Sequence, residues 1–206
     1  MNGGDKLIIN VGRQLGSGGR MVAQLLAKTF DARFYDKEIL ELAAKESGFS
    51  EEYFEQNDEC KGFFRSLFNI RAVHLPDSGF YQNGFSQEAL FKIQSDAIRK
   101  AAAEESCVFV GRCADYVLRD MPECVNIFVT APIDIRIDRV AERHHCSRDE
   151  AQHIIEKGEH ERATYYNYYT GKRWGAAESY HLCIDASVMG IEETADYIAK
   201  FINARR

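Results

Sequence analysis

The stretch LIINVGRQLGSGGR, which occupies residues 7–20, decides the fold of this chain. Its first five residues, Leu7 to Val11, form a short apolar run rich in β-branched side chains, which is typical of a buried strand. A glycine-dense segment, residues 12–19, follows at once. Apolar residues then recur at the spacing of an amphipathic helix, at Val22, Leu25, Leu26 and Phe30. The chain therefore opens with a strand, a glycine loop and a helix.

The remainder of the chain alternates further strand and helix patterns. Apolar runs predict strands at residues 34–36, 107–111, 125–129 and 181–184. Helical spacing and capping residues predict helices over residues 37–45, 50–59 and 114–119, after Ser86, after Pro132, after the capping box Ser147 to Glu150, and over residues 191–202. Strands that are apolar on both faces and separated by helices imply a parallel sheet covered on both sides. We predict a three-layer α/β fold in a single domain over residues 1–206, with insertions at residues 36–105 and 145–178.

Length and composition disfavour several classes of protein. A chain of 206 residues with 45% apolar residues can bury one core, which favours a single compact domain. Its net charge of −6 argues against a broad basic surface for nucleic acid. No stretch resembles a signal peptide or reaches the roughly 18 apolar residues needed to cross a bilayer. We expect a cytoplasmic protein with neither nucleic acid nor membrane as a partner, and the sequence leaves the oligomeric state open.

The cysteines indicate a reduced protein. Six cysteines are spread along the chain without a C-x-x-C pair, and several lie in apolar runs. This pattern favours buried free thiols. The histidines and cysteines share no spacing typical of a zinc site, so we assign no metal ligands to protein side chains.

The glycine loop has the chemistry of a phosphate cradle. In an open parallel sheet, ligands bind beyond the carboxyl ends of the strands. Glycines allow successive backbone N–H groups to turn toward an anion, and the helix that follows adds positive potential. We therefore assign phosphate binding to the loop, through Arg13, Gly16, Ser17, Gly18, Gly19 and Arg20.

The loop departs from the P-loop pattern G-x-x-x-x-G-K-[ST]. Gly19 stands at the position of the lysine, and Arg13 stands at that of the first glycine. Arg20 and Met21 follow, so the sequence offers no hydroxyl there for a magnesium ion. Arg13 and Arg20 are the candidates for restoring the missing positive charge, because a guanidinium group suits phosphate oxygens.

Four separated segments carry a resemblance to a known family. They are GRQLGSGGR at residues 12–20, FYDKEILELAAKESG at residues 34–48, FVGRCADYVL at residues 109–118 and ERATYYNYYTGKRWG at residues 161–175. In this order they resemble the signatures of the cytidylate kinase-like family, relatives of the P-loop nucleoside monophosphate kinases. The resemblance implies a P-loop kinase fold with a helical acceptor-binding insertion and a lid.

The same resemblance implies a reaction and the residues that serve it. The reaction is transfer of the γ-phosphoryl group of ATP, with Mg²⁺, to a nucleoside monophosphate, with CMP or dCMP as the first choice. By position, the implied catalytic residues are Arg20, Arg112 and Arg162, and the implied substrate-binding residues are Asp36, Arg112 and Arg139. The family's Gly-Arg-Asp motif is altered, because its aspartate falls on Cys113 and Asp115 is offset by two residues.

Three questions stay open from the sequence. Arg136 and Arg139 lie one turn apart on a helix and fit a solvated face as well as a place near a nucleotide. The tyrosines of residues 165–169 fit the packing of a lid helix better than stacking on a base. The aromatic-rich residues 63–85 favour a non-nucleotide acceptor as an alternative, and the altered loop favours a nucleotide-binding module without catalysis as another.

Overall fold

The computed structural model describes residues 6–36 and 87–205. Its strands are β1 (Ile8–Arg13), β2 (Arg33–Tyr35), β3 (Cys107–Val110), β4 (Cys124–Thr130) and β5 (Leu182–Asp185). Its helices are α1 (Gly19–Thr29), α2 (Gln87–Glu104), α3 (Ala114–Val117), α4 (Ile133–His144), α5 (Arg148–Thr170) and α6 (Ile191–Arg205), with a 3₁₀ turn at Ala177–Ser179. The predictions for residues 37–45, residues 50–59, residues 63–85 and Ser86 lie outside the described residues.

The five described strands form one parallel sheet in the order β2-β3-β1-β4-β5. The central strand is β1, in which Val11 pairs with Val110 of β3 on one side and with Ile127 of β4 on the other. Tyr35 of β2 pairs with Phe109 of β3. The predicted strands and the predicted parallel sheet are therefore confirmed.

Side chains of the central strands build the main apolar core against α1 and α6. Ile9 and Val11 of β1 and Ile127 of β4 are buried together with Leu26 of α1 and Ile198 of α6. A second, smaller core lies between α4 and α5 and contains Ile137, Val140, Ala151 and Ile155. Burial of each large apolar side chain contributes on the order of 1.5–3 kcal/mol to folding. The two cores fix the sheet edge and the helical hairpin that carry the site.

The starts of two helices follow from local sequence. Pro132 is the N-cap of α4, where the proline predicts that a helix begins. The Ser147 hydroxyl accepts the amide of Glu150, and the Glu150 carboxylate accepts the amide of Ser147, which confirms the predicted capping box. α5 then continues for 23 residues and ends at Gly171, which is left-handed. One long helix therefore makes up most of the predicted lid region.

The chain divides into two units, one made of Met1–Asp36 with Ile98–Arg206 and the other of Lys37–Ala97. The structure describes only residues 87–97 of the second unit, which belong to α2. All the residues of the site discussed below belong to the first unit. The predicted limits of the insertion and of the lid stay predictions. Among the described helices, none combines the length and the apolar character that crossing a membrane requires.

The cysteines of the described residues are free thiols. Cys107, Cys113 and Cys124 are buried, as predicted, and burial raises the pKa of the Cys107 and Cys124 thiols to about 12. Cys183 is exposed, so the prediction of burial is wrong there. The reason is its position on β5, which is an outer strand of the described sheet.

Candidate phosphate-binding site

Three adjacent strands deliver charged residues to the same edge of the sheet. Arg13 is the last residue of β1, Asp36 follows β2, and Arg112 lies two residues beyond β3. Because β2, β3 and β1 are parallel neighbours, their carboxyl ends meet at one edge, where ligands bind in open α/β sheets. Arg20 in the first turn of α1 and Arg162 of α5 contribute to the same region. We call these four side chains, Arg13, Arg20, Arg112 and Arg162, the arginine cluster.

The side chain of Arg13 runs along the space beside the glycine loop. A Cβ atom at Gly19 would lie 2.5 Å from Cβ of Arg13 and 3.0 Å from Cβ of Val129. A Cβ atom at Gly111 would overlap Nη1 of Arg13 and would lie 3.2 Å from its Cζ. Arg13 therefore starts beside the backbone of Gly19 and ends beside that of Gly111. The aliphatic stem of Arg13 therefore fills the space in which a lysine side chain at position 19 would begin, and its guanidinium group lies beside Gly111.

The backbone that carries Arg112 has an unusual conformation. Gly111, Arg112 and Cys113 have φ angles of +71°, +63° and +55°, so three successive residues are left-handed. Each non-glycine residue in this region costs on the order of 1 kcal/mol. Arg112 is nevertheless only 7% exposed, and its charge interacts with those of Arg13 and Asp36. Such strain persists where the surrounding structure enforces it, and it is concentrated at functional sites.

The arginine cluster carries an excess of positive charge. Nε of Arg20 donates to Oδ2 of the buried Asp36 at 2.7 Å. Burial, together with the charge of Arg13, lowers the pKa of Arg112 to about 10 and that of Arg162 to about 9. Burial also lowers the pKa of Arg13, against the opposing effect of Asp36. Arginine stays protonated near pH 7 after such shifts, so the cluster sets four positive charges around the carboxylate of Asp36.

Two members of the cluster have donors with few acceptors. Within residues 6–36 and 87–205, the guanidinium group of Arg13 donates no hydrogen bond. That of Arg162 donates a single one to these residues, from Nη1 to the carbonyl oxygen of Arg13 at 3.4 Å. Both side chains are partly exposed, so a ligand can reach them. Partial desolvation of donors without acceptors costs free energy. An anion with several oxygens would supply acceptors for these donors.

Some backbone amides of the glycine loop donate hydrogen bonds within the protein, and others do not. Four of them already donate within the protein: Gln14 to Val129, Leu15 to Glu159, Ser17 to Gln14, and Gly19 to the hydroxyl of Ser17. Among the described residues no acceptor is bonded to the amides of Gly16, Gly18 and Arg20. The expectation that successive amides face an anion is therefore corrected, because alternate amides are available. The first turn of α1 holds no acidic side chain, so its dipole is left for a ligand.

The helical hairpin of α4 and α5 holds the loop in place. Glu159 of α5 accepts the amide of Leu15 at 3.2 Å and Nη1 of Arg136 at 2.7 Å. Arg139 of α4 donates to two carbonyl oxygens of the loop, at 3.3 and 3.0 Å. The side chain of Leu15 packs against the small core between the two helices. The shape of the loop therefore depends on α5, the helix that also carries Arg162.

Arg136, Arg139 and Glu159 differ in how far their positions follow from the sequence. Arg136 is only 6% exposed and pairs with Glu159, so the interpretation as a solvated helix face is wrong for it. Arg139 contacts loop carbonyls, and its assignment to the substrate stays a prediction. Glu159 was missed, because its partners lie 23 and 144 residues away and no local pattern marks it.

Asp115 makes a separate buried contact. Its Oδ2 accepts the hydroxyl of Tyr166 at 2.6 Å, which links α3 to α5. Burial raises the pKa of Asp115, and the hydrogen bond from Tyr166 and the charge of Lys172 oppose that rise. Tyr166 is buried in the packing of α5, as predicted for the tyrosine run, whereas Tyr168 is 67% exposed.

Replacing Tyr166 by phenylalanine should destabilise the protein in a pH-dependent way. At neutral pH we expect a loss of about 2 kcal/mol, because a buried carboxylate loses a donor. Since the folded-state pKa of Asp115 is raised above 3.8, its contribution to stability is greatest below that value and declines as pH rises through the folded pKa. Removing the donor raises the folded pKa further, so the loss should be larger at pH 7 than at pH 4. Urea denaturation at both pH values measures it.

The matched control for this variant is Tyr197→Phe, which removes the same hydroxyl from a side chain that is 50% exposed. It should change stability by less than about 0.5 kcal/mol at either pH. An equal loss from the two variants, or a loss in Tyr166→Phe that is independent of pH, would show that the contact with Asp115 is not stabilising.

The site fits the phosphates of a nucleotide better than it fits a protein-bound magnesium ion. Donors of Arg13 and Arg162 and the amides of Gly16, Gly18 and Arg20, all without an acceptor in the part of the chain that the structure describes, match phosphate oxygens. Mg²⁺ requires oxygen ligands, which P-loop proteins supply from a Ser/Thr hydroxyl and a carboxylate. Here Arg20 replaces that hydroxyl and binds Asp36, and Cys113 replaces the implied aspartate. Among the described residues, no group of three or more His, Cys, Asp or Glu side chains could hold a metal.

Solved structures with the same architecture identify the fold. A protein described as uncharacterized, from Eubacterium ventriosum ATCC 27560, has a TM-score of 0.72 and 28% identity, over 96% of this chain and 99% of that chain. Shikimate kinase from Acinetobacter baumannii, in complex with shikimate, has a TM-score of 0.54 and 13% identity, over 98% and 96%. Shikimate kinase from Bacteroides thetaiotaomicron has a TM-score of 0.54 and 13% identity, over 96% and 98%. The parallel sheet with its glycine loop therefore has the P-loop kinase fold.

Within that class, the sequence assigns the chain to one family. The sequence pattern of the cytidylate kinase-like family matches residues 8–188. The chain belongs to the cytidylate kinase-like family. No curated protein matches it.

Proposed function

We propose that this protein transfers the γ-phosphoryl group of ATP to a nucleoside monophosphate, with CMP or dCMP as the first choice. The observation that carries the proposal is the arginine cluster at the carboxyl edge of β1, β2 and β3, in which Arg13 and Arg162 have donors that find no acceptor among the described residues. Phosphoryl transfer depends on positioning and on neutralising charge at the phosphoryl oxygens. Four guanidinium groups around one carboxylate supply that charge.

Each group of the site has a role in this reaction. An oxygen of the acceptor phosphate attacks the γ-phosphorus of ATP, the bond to the β–γ bridging oxygen breaks, and ADP leaves with that electron pair. We assign the amides of Gly16 and Gly18 in the glycine loop, and the guanidinium group of Arg13 beside Gly111, to the phosphates of the donor nucleotide. Arg112 and Arg162 are assigned to the transferred and acceptor phosphates. ADP and a nucleoside diphosphate are the products.

The test is a panel of acceptors with purified protein and ATP. We expect ADP and CDP to form in equal amounts, which chromatography of the nucleotides measures. Arg162→Ala should lower turnover on the order of 10³-fold, the scale of losing a guanidinium from a phosphoryl-transfer site. Arg143→Ala, which removes an exposed arginine from α4, should leave turnover unchanged. Absence of phosphorylation of every nucleoside monophosphate would reject this acceptor class.

A hydroxy acid is the second candidate for the acceptor, with its hydroxyl group receiving the phosphoryl group and its carboxylate bound by an arginine. A guanidinium group binds a carboxylate with the same paired donors that it offers to phosphate. Asp36, which the family resemblance assigns to the acceptor, is engaged with Arg20, so it is not committed to a base in the described structure. One structural neighbour is a shikimate kinase in complex with shikimate. ATP consumption that depends on a hydroxy acid and not on any nucleotide would favour this candidate, and ATP binding without turnover on either class would favour a binding module.

A further inference from the structure

Arg20 occupies the place where a P-loop protein ligates its magnesium ion. The pattern requires a Ser or Thr directly after the lysine, and Gly19 and Arg20 stand at these two positions. Nε of Arg20 donates to Oδ2 of Asp36 at 2.7 Å, so a guanidinium group bridges α1 to the residue that follows β2. The side chain of Arg20 is 50% exposed, and its outer donors remain accessible to a ligand.

The second position from which a carboxylate would hold the ion is also changed. Cys113 stands where the family's motif has aspartate, and it is buried at 3% exposure in the left-handed turn after β3. Asp115, two residues on, is bonded to Tyr166 instead. The carboxyl edge of β3 therefore keeps the positive charge of Arg112, whereas a neutral thiol replaces the negative charge of the pattern's aspartate.

We infer that this site binds the polyphosphate group of its nucleotide directly through guanidinium groups, without needing a divalent ion between the phosphates and the protein. The inference rests on the proposed function, because it takes the arginine cluster as the polyphosphate site. A metal-free triphosphate carries two more negative charges than its magnesium complex. A cluster of four positive charges around Asp36 favours the more negative form.

Calorimetry with ATP tests this on the full chain, in parallel with inorganic tripolyphosphate, once with EDTA and once with excess MgCl₂. We expect binding in EDTA to be about tenfold tighter than in MgCl₂, the effect of one further close charge contact. Binding that disappears in EDTA and returns with Mg²⁺ would overturn the inference while leaving the proposed polyphosphate site intact. Failure of both probes to bind in either buffer would overturn the site itself, and with it the proposed function.

The variant Arg20→Ser gives an independent readout. It restores a hydroxyl at the P-loop position and releases Asp36 from its bond with Arg20. We expect it to lose affinity for metal-free ATP and to reverse the preference, so that MgCl₂ strengthens binding. Arg119→Ser is the control, because Arg119 is exposed, lies over the half-buried ring of Tyr116 and makes no contact with the arginine cluster among the described residues; this variant should keep the preference of the natural chain. An Arg20→Ser protein with an unchanged preference for EDTA, and with an unchanged melting temperature, would count against a role for Arg20.

Discussion

Replacing Gly19 by lysine, which restores the lysine of the P-loop pattern, is expected to damage the protein instead of improving it. The new Cβ would lie 2.5 Å from Cβ of Arg13 and 3.0 Å from Cβ of Val129. Neither atom is at the flexible end of a side chain, so the backbone of β1 or α1 has to move. Overpacking of this kind costs about 3 kcal/mol. Urea denaturation should show the loss, and nucleotide binding should fall with it.

The clash with Arg13 also predicts which second change repairs the first. Arg13→Gly removes the obstructing Cβ and, together with Gly19→Lys, recreates the spacing G-x-x-x-x-G-K. The double variant should recover most of the lost stability and should bind ATP through the new ammonium group. Arg13→Ala with Gly19→Lys is the matched control, because it removes the guanidinium but keeps the Cβ, and it should stay destabilised. Equal behaviour of the two double variants would show that Arg13 and Gly19 are not sterically coupled.

Most of the fold was predictable because it depends on local patterns. The buried runs at β1, β3 and β4 are apolar on both faces, and such runs separated by helices have few arrangements other than a covered parallel sheet. The capping box of Ser147 and Glu150 lies within four consecutive residues, so the start of α5 was visible in the sequence. What was missed, the exposure of Cys183, depends on the position of β5 in the sheet.

The residue types of the site were predictable from the sequence, but the contacts between these residues were not. Arg13, Arg112 and Arg162 stand out because they follow strands or match the family signatures. That Arg13 and Arg112 lie near Asp36 could be expected from the parallel strand ends, whereas the contact of Arg13 with Gly19 could not. Contacts such as that of Glu159 with the amide of Leu15 join residues 144 positions apart. Chain topology, and not any local spacing, determines such contacts.

Two substitutions at Arg112 should have the same effect on turnover but different effects on stability. Arg112→Ala and Arg112→Gly should both reduce phosphoryl transfer on the order of 10³-fold, because either removes a guanidinium group from the cluster. Their stabilities should differ, since position 112 has φ +63° and only glycine adopts that conformation without strain. We expect the glycine variant to be more stable than the alanine variant by about 1 kcal/mol.

At an ordinary position within a helix, the order of stability is the opposite: the alanine variant is more stable than the glycine variant. Lys200 is an exposed residue within α6, and there Lys200→Gly should be less stable than Lys200→Ala by about 1 kcal/mol. Urea denaturation of the four variants therefore tests the sign of the effect and not only its size. The same order at both positions would mean that the turn of Gly111, Arg112 and Cys113 is not left-handed in solution. The reversed order, with turnover lost in both Arg112 variants, would mean that the protein keeps a strained residue because its guanidinium group serves the reaction.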